Sequence, residues 1–290
     1  ALRGLETGIL PFNRRSRTQV RFPPLSRQPA PSQARSLTAL PHLGSFSSCG
    51  EIGIDFGFYQ AKQSVFHRKL EIGRYFAMKI ALINENSQNS KNPMIEAALK
   101  KVVEPMGHTV FNYGMYAEEG SAPLTYVQNG ILAAVLLNSG AADYVVTGCG
   151  TGEGAMLACN SFPGVLCGHV ADPLDAYTFA QVNDGNAVAM PFALKNGWGQ
   201  ELNLEYTFEK LFGFGSGNGY PAERVEPEQR NKKILDGVRA VTMRPLVDVL
   251  GEIDQDLVKD ALAGEHFQEY FFANATDEAI IAKVKELLGL

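Results

Sequence analysis

The sequence lacks the features of a membrane protein, a disulfide-rich protein or a zinc protein. No apolar run approaches the roughly 18 residues that a membrane-spanning helix needs, so we expect no membrane partner. Only four of the 290 residues are cysteines, with no CxxC pair and no cluster with histidine. Disulfide frameworks and zinc sites use such spacings. We therefore expect no bound metal and a reducing compartment such as the cytoplasm.

Positive charge is scarce outside the first quarter of the chain. The net charge is −5, but residues 1–77 hold 11 Lys and Arg against 4 Asp and Glu. Residues 78–290 hold 15 against 27. A nucleic-acid-binding protein needs a basic surface to neutralise phosphates. The acidic main part of the chain therefore argues against nucleic acid as its partner.

The first 50 residues lack hydrophobic periodicity and lysine, and contain one acidic residue, Glu6. They hold seven Arg, seven Ser and six Pro, a composition that resembles an organelle transit peptide. Translated sequence upstream of the true start is an equal alternative, because Met78 opens a clean strand. We predict that residues 1–77 are a disordered leader. The protein is then cytoplasmic, unless the leader directs it to an organelle.

From Met78 onward, apolar strands alternate with helical patterns. Predicted strands cover residues 79–84, 109–112, 144–147, 164–168 and 187–190. Predicted helices cover residues 92–107, 124–137, 172–181, 198–212, 227–241, 244–251, 255–263 and 277–288. Asn92 and Asp172, each followed by proline, are the predicted N-caps of their helices. The alternation predicts an α/β fold with a parallel sheet, in a domain of residues 78–235 with a helical C-terminal extension of residues 236–290.

A glycine-rich loop joins the third strand to the following helix. Its glycines are Gly148, Gly150, Gly152 and Gly154, with Cys149 and Thr151 between them. Glycines let the backbone turn tightly and bring its N–H groups close to a ligand. The start of a helix also favours negative charge, such as a thiolate or an enediolate oxygen. An ordinary strand-to-helix turn with a buried, inert Cys149 is the alternative.

Ligands of parallel α/β sheets bind beyond the carboxyl ends of the strands. Glu85, Cys149, Asp172 and either Asn183 or Asn186 lie at or near such ends in the predicted order. We therefore expect these side chains to converge on one site.

In strand order and in the Gly-Cys-Gly-Thr-Gly-x-Gly loop, residues 78–235 resemble the ribose-5-phosphate isomerase B and LacA/LacB family of sugar isomerases. The match rests on residues 79–81, 149–152, 160, 163–164, 172 and 183–187. The resemblance implies a Rossmann-like three-layer fold with a five-stranded parallel sheet. It also implies a homodimer with its sites at the subunit interface, and isomerisation through an enediolate without metal or cofactor.

The resemblance gives roles to the residues of the loop. Cys149 would be the base, as a thiolate. Thr151 and the N–H groups of Gly150, Gly152 and Gly154 would hold the developing oxyanion.

Three more residues have roles in the same resemblance. Asn183 or Asn186 would bind substrate hydroxyls. Another branch of the family uses a glutamate near this loop as the base, so Glu153 is the rival base, or else an acid that caps the helix.

The sequence departs from the family at the phosphate ligands. Glu85 and Asn86 stand where the family has Asp-His, and Val182 stands where it has the ring-opening His. Two arginines four residues apart are expected later; Arg230 fits the second, but Glu226 occupies the place of the first. A phosphate dianion is bound by arginine and histidine donors. These replacements argue against a phosphorylated substrate.

A narrower branch resembles residues 78–290 more closely, through residues 84–88, 124–130, 228–231 and 267–272. It includes isomerases that convert 4-deoxy-L-threo-5-hexosulose uronate to 3-deoxy-D-glycero-2,5-hexodiulosonate, a substrate with a carboxylate and no phosphate. Arg230 would anchor that carboxylate, with Arg224 in reserve. We predict an aldose–ketose isomerase of a small acidic sugar. The alternatives are a ribose-5-phosphate isomerase, a non-catalytic sugar-acid-binding protein and, more remotely, a dinucleotide-binding module.

Other side chains near the loop have two interpretations. Glu85 is a hydroxyl ligand or second acid, or otherwise a loop residue. Asn86 and Ser87 are predicted to form the wall of the site. Tyr126 lines the site or belongs to the core.

The remaining cysteines and two histidines are predicted to be structural. Cys159 and Cys167 are small core residues. His108 and His169 have no partner at metal-ligand spacing, so both are surface or hydrogen-bonded histidines.

Overall fold

The computed structural model describes residues 77–114, 123–194 and 197–290. The predicted leader, apart from its last residue, lies outside the described residues. Five strands form one parallel sheet: β1 (Lys79–Asn84), β2 (Thr109–Asn112), β3 (Tyr144–Cys149), β4 (Cys167–His169) and β5 (Ala187–Pro191). The strand order is β2-β1-β3-β5-β4. The predicted five-stranded parallel sheet is confirmed.

Ten α-helices lie in the described part of the chain. They are α1 (Asn92–Val103), α2 (Tyr126–Asn138), α3 (Glu153–Asn160), α4 (Pro173–Thr178), α5 (Gln200–Phe212), α6 (Val225–Thr242), α7 (Leu246–Glu252), α8 (Gln255–Leu262), α9 (Glu265–Asn274) and α10 (Glu278–Leu288). None of them has the length and hydropathy to cross a membrane.

The sheet buries both faces, because alternate residues of its central strands enter different cores. Ala81 and Ile83 of β1 pack into one core with α2 and α3. Ile80 and Leu82 pack into a second core with α1 and α5. Because both faces of β1 are buried, its sequence is a nearly continuous apolar run. The predicted three-layer arrangement is confirmed.

The chain changes direction across the sheet between β1 and β3. β2 lies on one side of β1 and β3 on the other, and the later strands continue beyond β3. Asn84 at the end of β1 is paired in register with Gly148 of β3. The connections after β1 and β3 therefore leave the sheet in opposite directions and open a crevice at its carboxyl edge, where such folds bind ligands.

The C-terminal extension covers one face of the sheet. Val258 of α8 and Phe271 of α9 belong to the same buried core as Leu132 of α2. The N–H of Thr276 donates to the carbonyl of Ser139, after α2, at 2.8 Å. The extension is therefore helical, as predicted, and shares its core with the sheet.

The fourth strand begins later than predicted, at Cys167 rather than residue 164. Gly164 has a φ of 74°, in the left-handed region. The side chain of Asn186 then satisfies the backbone, donating to the Gly164 carbonyl at 2.7 Å and accepting from the Leu166 N–H at 2.8 Å. Side-chain hydrogen bonds replace strand pairing over these residues.

Asn92 is not the N-cap of α1. A 3-10 helix (Asn86–Lys91) precedes α1, and Asn92 is the first residue of α1 itself. Its buried side-chain amide accepts a hydrogen bond from Asn84 and donates to Asn112 at 3.3 Å. The amide joins the ends of β1 and β2 instead of capping the helix.

Asp172 is the N-cap of α4, as predicted. Its carboxylate accepts from the N–H groups of Leu174 and Asp175, each at 3.0 Å. The helix continues as a π-helical turn, Phe179–Asn183.

The helix α9 was not predicted. Its aromatic residues Phe267 and Phe271 are four apart and both buried. That spacing places them on one face of a helix, so the signal was present in the sequence.

Candidate active site

The glycine-rich loop carries Cys149 at its start. Cys149 is the last residue of β3 and its side chain is buried, with 7% of the residue exposed. Its Sγ accepts a hydrogen bond from the N–H of Gly152 at 3.1 Å. Gly152 has a φ of 80°, which glycine adopts without strain. The loop thus directs a backbone donor at the sulfur, an arrangement that stabilises a thiolate.

Thr151 lies at the surface of the same loop. Its Oγ1 accepts from the N–H of Glu153 at 3.3 Å and is 4.0 Å from Cys149 Sγ. The hydroxyl therefore accepts from the first N–H of α3 and remains close to the sulfur. This position fits the role predicted for Thr151 beside a developing oxyanion.

The loop after β1 is built around Glu85. Glu85 is 8% exposed, and its carboxylate accepts from the backbone N–H of Ser87 at 2.9 Å and from the Ser87 hydroxyl. Asn86 and Ser87 are exposed, as expected of residues in the wall of a site. The Glu85 carboxylate itself is occupied as the cap of the 3-10 helix.

Gln88 connects this loop to the glycine loop, and sequence reasoning did not assign it to the site. Its Nε2 donates to Ser87 Oγ at 2.9 Å. A Cβ built on Gly150 would lie 4.0 Å from the same Nε2. The side-chain amide therefore borders the crevice between the two loops.

His169 is the second residue that sequence reasoning missed. It ends β4, and its Nε2 lies 3.0 Å from the carbonyl oxygen of Thr151 and 3.8 Å from Oε1 of Glu153. His169 directly follows the predicted fourth strand, so the rule that placed other residues at strand ends also pointed to it. It is a hydrogen-bonded histidine, as predicted, but it belongs to the glycine loop.

Tyr126 covers the beginning of α3. Its ring would lie 3.2 to 3.4 Å from a Cβ placed on Gly154, and the residue is 47% exposed. Tyr126 is therefore not a core residue, and its place in the lining of the site stays a prediction.

Buried amides hold the strand ends beneath these loops. The Nδ2 of Asn129 donates to Thr147 Oγ1 at 3.0 Å and approaches the Gly148 carbonyl at 3.4 Å. Asn84 and Asn92 form a second pair at the end of β1. All three asparagines are 0% exposed, so the floor of the site is held by direct side-chain contacts.

Asn186 does not converge with Cys149 in one chain, and that expectation is wrong. Its backbone carbonyl accepts from the N–H of Val145, near the amino end of β3. Val145 precedes Cys149 by four residues, which is roughly 13 Å along a strand. The Asn186 side chain is also occupied in holding the turn before β4.

Asn183 and Arg230 lie with Asn186, away from the glycine loop. Asn183 ends the π-helical turn just before β5 and is exposed. Arg230 is an exposed residue of α6, and a surface groove between the two elements is lined by Val182, Asp184 and Gln229. The predicted site residues therefore form two groups at opposite ends of the sheet.

The other predicted structural residues are confirmed. Cys159 and Cys167 are buried, and the hydrogen bond between the two thiols, together with burial, raises the pKa of the Cys167 thiol. His108 is buried, accepts from the Met78 N–H at 3.2 Å, and has its pKa lowered by that burial. Across residues 77–114, 123–194 and 197–290, no three His, Cys, Asp or Glu side chains are grouped to hold a metal ion.

Comparison with known proteins gives two family matches. The family model described as Ribose/Galactose Isomerase matches residues 80–210. A second, described as Ribose-5-phosphate isomerase, matches residues 241–287, which include α7 to α9 and nearly all of α10. A search of curated proteins finds no match.

Two solved structures resemble the chain over its described part. One is a 4-deoxy-L-threo-5-hexosulose-uronate ketol-isomerase complexed with a tartrate, at 62% identity and a TM-score of 0.72. The other is a ribose-5-phosphate isomerase from Vibrio parahaemolyticus, at 50% identity and a TM-score of 0.71. Each alignment covers 73% of this chain and 100% of the other. With the glycine loop at the carboxyl edge of a five-stranded parallel sheet, these matches show that the chain belongs to the ribose/galactose isomerase family and is a sugar isomerase.

Proposed function

We propose that the protein is a ketol-isomerase that converts 4-deoxy-L-threo-5-hexosulose uronate to 3-deoxy-D-glycero-2,5-hexodiulosonate through an enediolate, without a cofactor. The observation that carries the chemistry is the Cys149 sulfur, held 3.1 Å from the Gly152 N–H at the crevice between β1 and β3. An ionisable group beside fixed N–H donors is what proton transfer next to a carbonyl requires.

The Cys149 thiolate would take the proton from the carbon next to the substrate carbonyl. The electron pair of that C–H bond becomes the new carbon–carbon double bond, while the π pair of the carbonyl moves onto its oxygen and gives the enediolate. The N–H groups of the loop and the Thr151 hydroxyl stabilise the negative oxygen. The hydroxyl proton at the deprotonated carbon passes to the former carbonyl oxygen. The Cys149 thiol returns its proton to the former carbonyl carbon, which completes the isomerisation and restores the thiolate.

The choice of a uronate rests on charge and on similarity. Asn86, Val182 and Glu226 stand where phosphate ligands are expected, so a dianionic phosphate loses its donors. The ketol-isomerase at 62% identity is named for this uronate. Arg230 is the proposed anchor for the carboxylate.

A second copy of the chain would complete the site. Asn183 and Arg230 lie at the far end of the sheet from Cys149, so one chain does not bring them together. The helix α6 that carries Arg230 has no buried residue, and Ile234 and Val238 on it are 59% and 52% exposed. A two-fold dimer in which α6 packs on the partner would bury these apolar side chains and bring Arg230 to the partner's glycine loop.

The test is an NMR assay of the full chain in D₂O, with the uronate and ribose 5-phosphate offered in parallel. Turnover of the uronate alone, with deuterium incorporated at the carbon that is reprotonated, is the expected result. The competing function, isomerisation of ribose 5-phosphate, is favoured by the relative at 50% identity. Turnover of ribose 5-phosphate instead would overturn the substrate assignment.

A non-catalytic sugar-acid-binding protein is distinguished by the thiol. Binding alone needs no reactive sulfur, whereas the proposed base must be a thiolate. Alkylation of Cys149 by iodoacetamide at neutral pH, blocked by the uronate, is expected of the enzyme. An unreactive Cys149 together with no turnover would favour the binding protein.

A further inference from the structure

His169 contacts the glycine loop from outside the elements that form it. It lies at the end of β4, which is separated from β3 by β5. A Cβ on Gly152 would lie 2.8 Å from the ring atoms Cδ2 and Nε2. The imidazole therefore packs directly against the backbone of Gly152. A side chain at position 152 would collide with the ring, so only glycine fits there.

The hydrogen bond of His169 determines where its proton lies. Nε2 is 3.0 Å from the carbonyl oxygen of Thr151. A carbonyl oxygen only accepts, so the hydrogen must be on Nε2. Glu153 Oε1, at 3.8 Å from the same nitrogen, is beyond hydrogen-bond length and its side chain is 61% exposed. Thr151 is thus the acceptor for this N–H.

The accepting carbonyl and the donor to Cys149 belong to one peptide unit. The C=O of Thr151 and the N–H of Gly152 share the same amide, and in a trans peptide they point in opposite directions. The carbonyl accepts from His169, and the N–H donates to Cys149 Sγ at 3.1 Å. A donor on the oxygen polarises an amide and strengthens its N–H as a donor.

We propose that His169 is a positioning residue, which orients and polarises the Thr151–Gly152 peptide so that its N–H stabilises the Cys149 thiolate. The role rests on the proposed function, in which that thiolate is the base. The family roles given above are those of the base, the oxyanion donors and the hydroxyl ligands. The role of His169 differs from them, because His169 acts on Cys149 through the Thr151–Gly152 peptide.

Three variants of His169 separate this role from packing. His169→Ala removes the ring and the donor, His169→Phe keeps an aromatic ring without a donor, and His169→Gln keeps an amide donor of similar reach. The readouts are the rate of Cys149 alkylation by iodoacetamide at pH 7, and kcat and KM with the uronate. Circular dichroism checks that each variant is folded.

His169→Ala and His169→Phe should alkylate roughly two- to tenfold more slowly, the effect of one lost hydrogen bond, and should lower kcat more than they raise KM. His169→Gln should recover most of both losses. Equal impairment of all three variants would overturn the proposal, and so would unchanged alkylation in His169→Ala.

A measurement on the unaltered protein does not depend on the variants folding. NMR of the full chain with ¹⁵N-labelled histidine reports which ring nitrogen carries hydrogen, and His169 should carry it on Nε2. Hydrogen on Nδ1 alone would overturn the proposal. Alkylation and the tautomer are both measured without sugar, so an error in the substrate would leave them unchanged.

Discussion

At the residue scale, Cys149 differs from the other described cysteines in what surrounds its sulfur. Its Sγ receives a backbone N–H from a loop that opens to solvent through Thr151. Cys159 and Cys167 instead face each other in the core. Cys149 and Cys167 are similarly buried, at 7% and 6% exposed, so the backbone donor is what distinguishes the Cys149 sulfur from theirs.

Cys149→Ala should reduce kcat/KM for the sugar substrate by roughly 10²- to 10⁴-fold, the usual contribution of a positioned general base. Cys159→Ala is the matched control, because it removes a buried thiol away from the loop. It should lower the unfolding midpoint while leaving kcat/KM within a few-fold. Steady-state kinetics and thermal unfolding of both variants provide the comparison.

A different outcome would move the base to the neighbouring acid. If Cys149→Ala stayed active and Glu153→Gln lost activity by the same factor, Glu153 would be the base. Glu153 is the first residue of α3 and is exposed, so its carboxylate lies next to the glycine loop and is a real competitor for the role of base.

Tyr113 provides a prediction about pH. Burial, and to a smaller extent the neighbouring Tyr270, raise the pKa of its phenol. Within the described residues, the hydroxyl has no hydrogen-bond partner. The unfolded chain releases this proton near pH 10 while the folded chain retains it, so the folded state loses stability as the pH rises above about 10.

At pH 7 the free energy of unfolding of Tyr113→Phe should equal or slightly exceed that of the unaltered protein. Between pH 9 and about 11 the variant should lose less stability than the unaltered protein. Urea denaturation at several pH values measures both effects. Tyr206→Phe, at a half-exposed position on α5, is the control and should follow the unaltered protein. Equal alkaline losses in Tyr113→Phe and the unaltered protein would show that the phenol is not involved.

At the element scale, α2 and α3 approach each other at a glycine. A Cβ on Gly130 would lie 2.7 Å from the carbonyl carbon of Ala158 and 2.8 Å from its oxygen. Backbone cannot yield as a side chain does, so the space between the helices has no room for a methyl group. This contact also sets the position of α3, whose first turn carries the glycine loop.

Gly130→Ala should lower the free energy of unfolding by about 1–3 kcal/mol, because it overpacks the interface between α2 and α3. Gly251→Ala in α7 is the matched control, since a Cβ there meets only the flexible end of the Lys283 side chain, at 3.5 Å or more. It should be neutral or stabilise by up to about 1 kcal/mol, as alanine favours the helix. Chemical denaturation distinguishes the two, and equal effects would contradict the packing argument.

At the scale of the whole molecule, α6 adds no residue to the buried core of the described chain, although its Arg239 donates to the Phe162 and Val165 carbonyls. None of its 18 residues is buried. Ile234, Val238 and Val241 recur at spacings of four and three, which places them on one face. An apolar helical face of this kind fits an interface between copies of the chain better than a surface in water.

The double variant Ile234→Glu and Val238→Glu should prevent the proposed dimer from forming and abolish turnover, because each site would lose the residues of the partner. Light scattering coupled to size exclusion measures the mass. Leu290→Glu, at a 72% exposed residue two positions beyond α10, is the control and should match the unaltered protein in mass and activity. A monomeric double variant with full activity would refute the shared site.

Mixing two inactive variants tests the shared site directly. Cys149→Ala and Arg230→Ala affect residues that the proposal assigns to different copies in each site. Random exchange into two-fold dimers should restore about a quarter of the unaltered activity, because the mixed dimer has one intact site. If mixing restored no activity, the shared site would be refuted. Cys149 and Arg230 would then act in the same chain, or Arg230 would not belong to the site.

Local sequence patterns were sufficient for most of the fold. β1 and β2 lie where the apolar runs predicted them, and Asp172 caps its helix, because both features depend on neighbouring residues. The glycine pattern around Cys149 likewise indicated the loop. Family resemblance then supplied the reaction class, which the matches with known structures support.

Contacts between distant elements were decided only by the tertiary structure. The strand-end position of His169 pointed to the site, but it did not show that the ring reaches across β5 to the Thr151 carbonyl. Nor did the sequence show that Asn92 joins two strand ends instead of capping a helix. Asn186 is a different case, because the predicted fifth strand already began at residue 187 and sequence order therefore placed Asn186 at its amino end. The expectation that it joined the residues after the strands misread that order. Periodicity and capping are set by residues a few positions apart, whereas these contacts depend on strand order and on which end of the sheet each connection reaches.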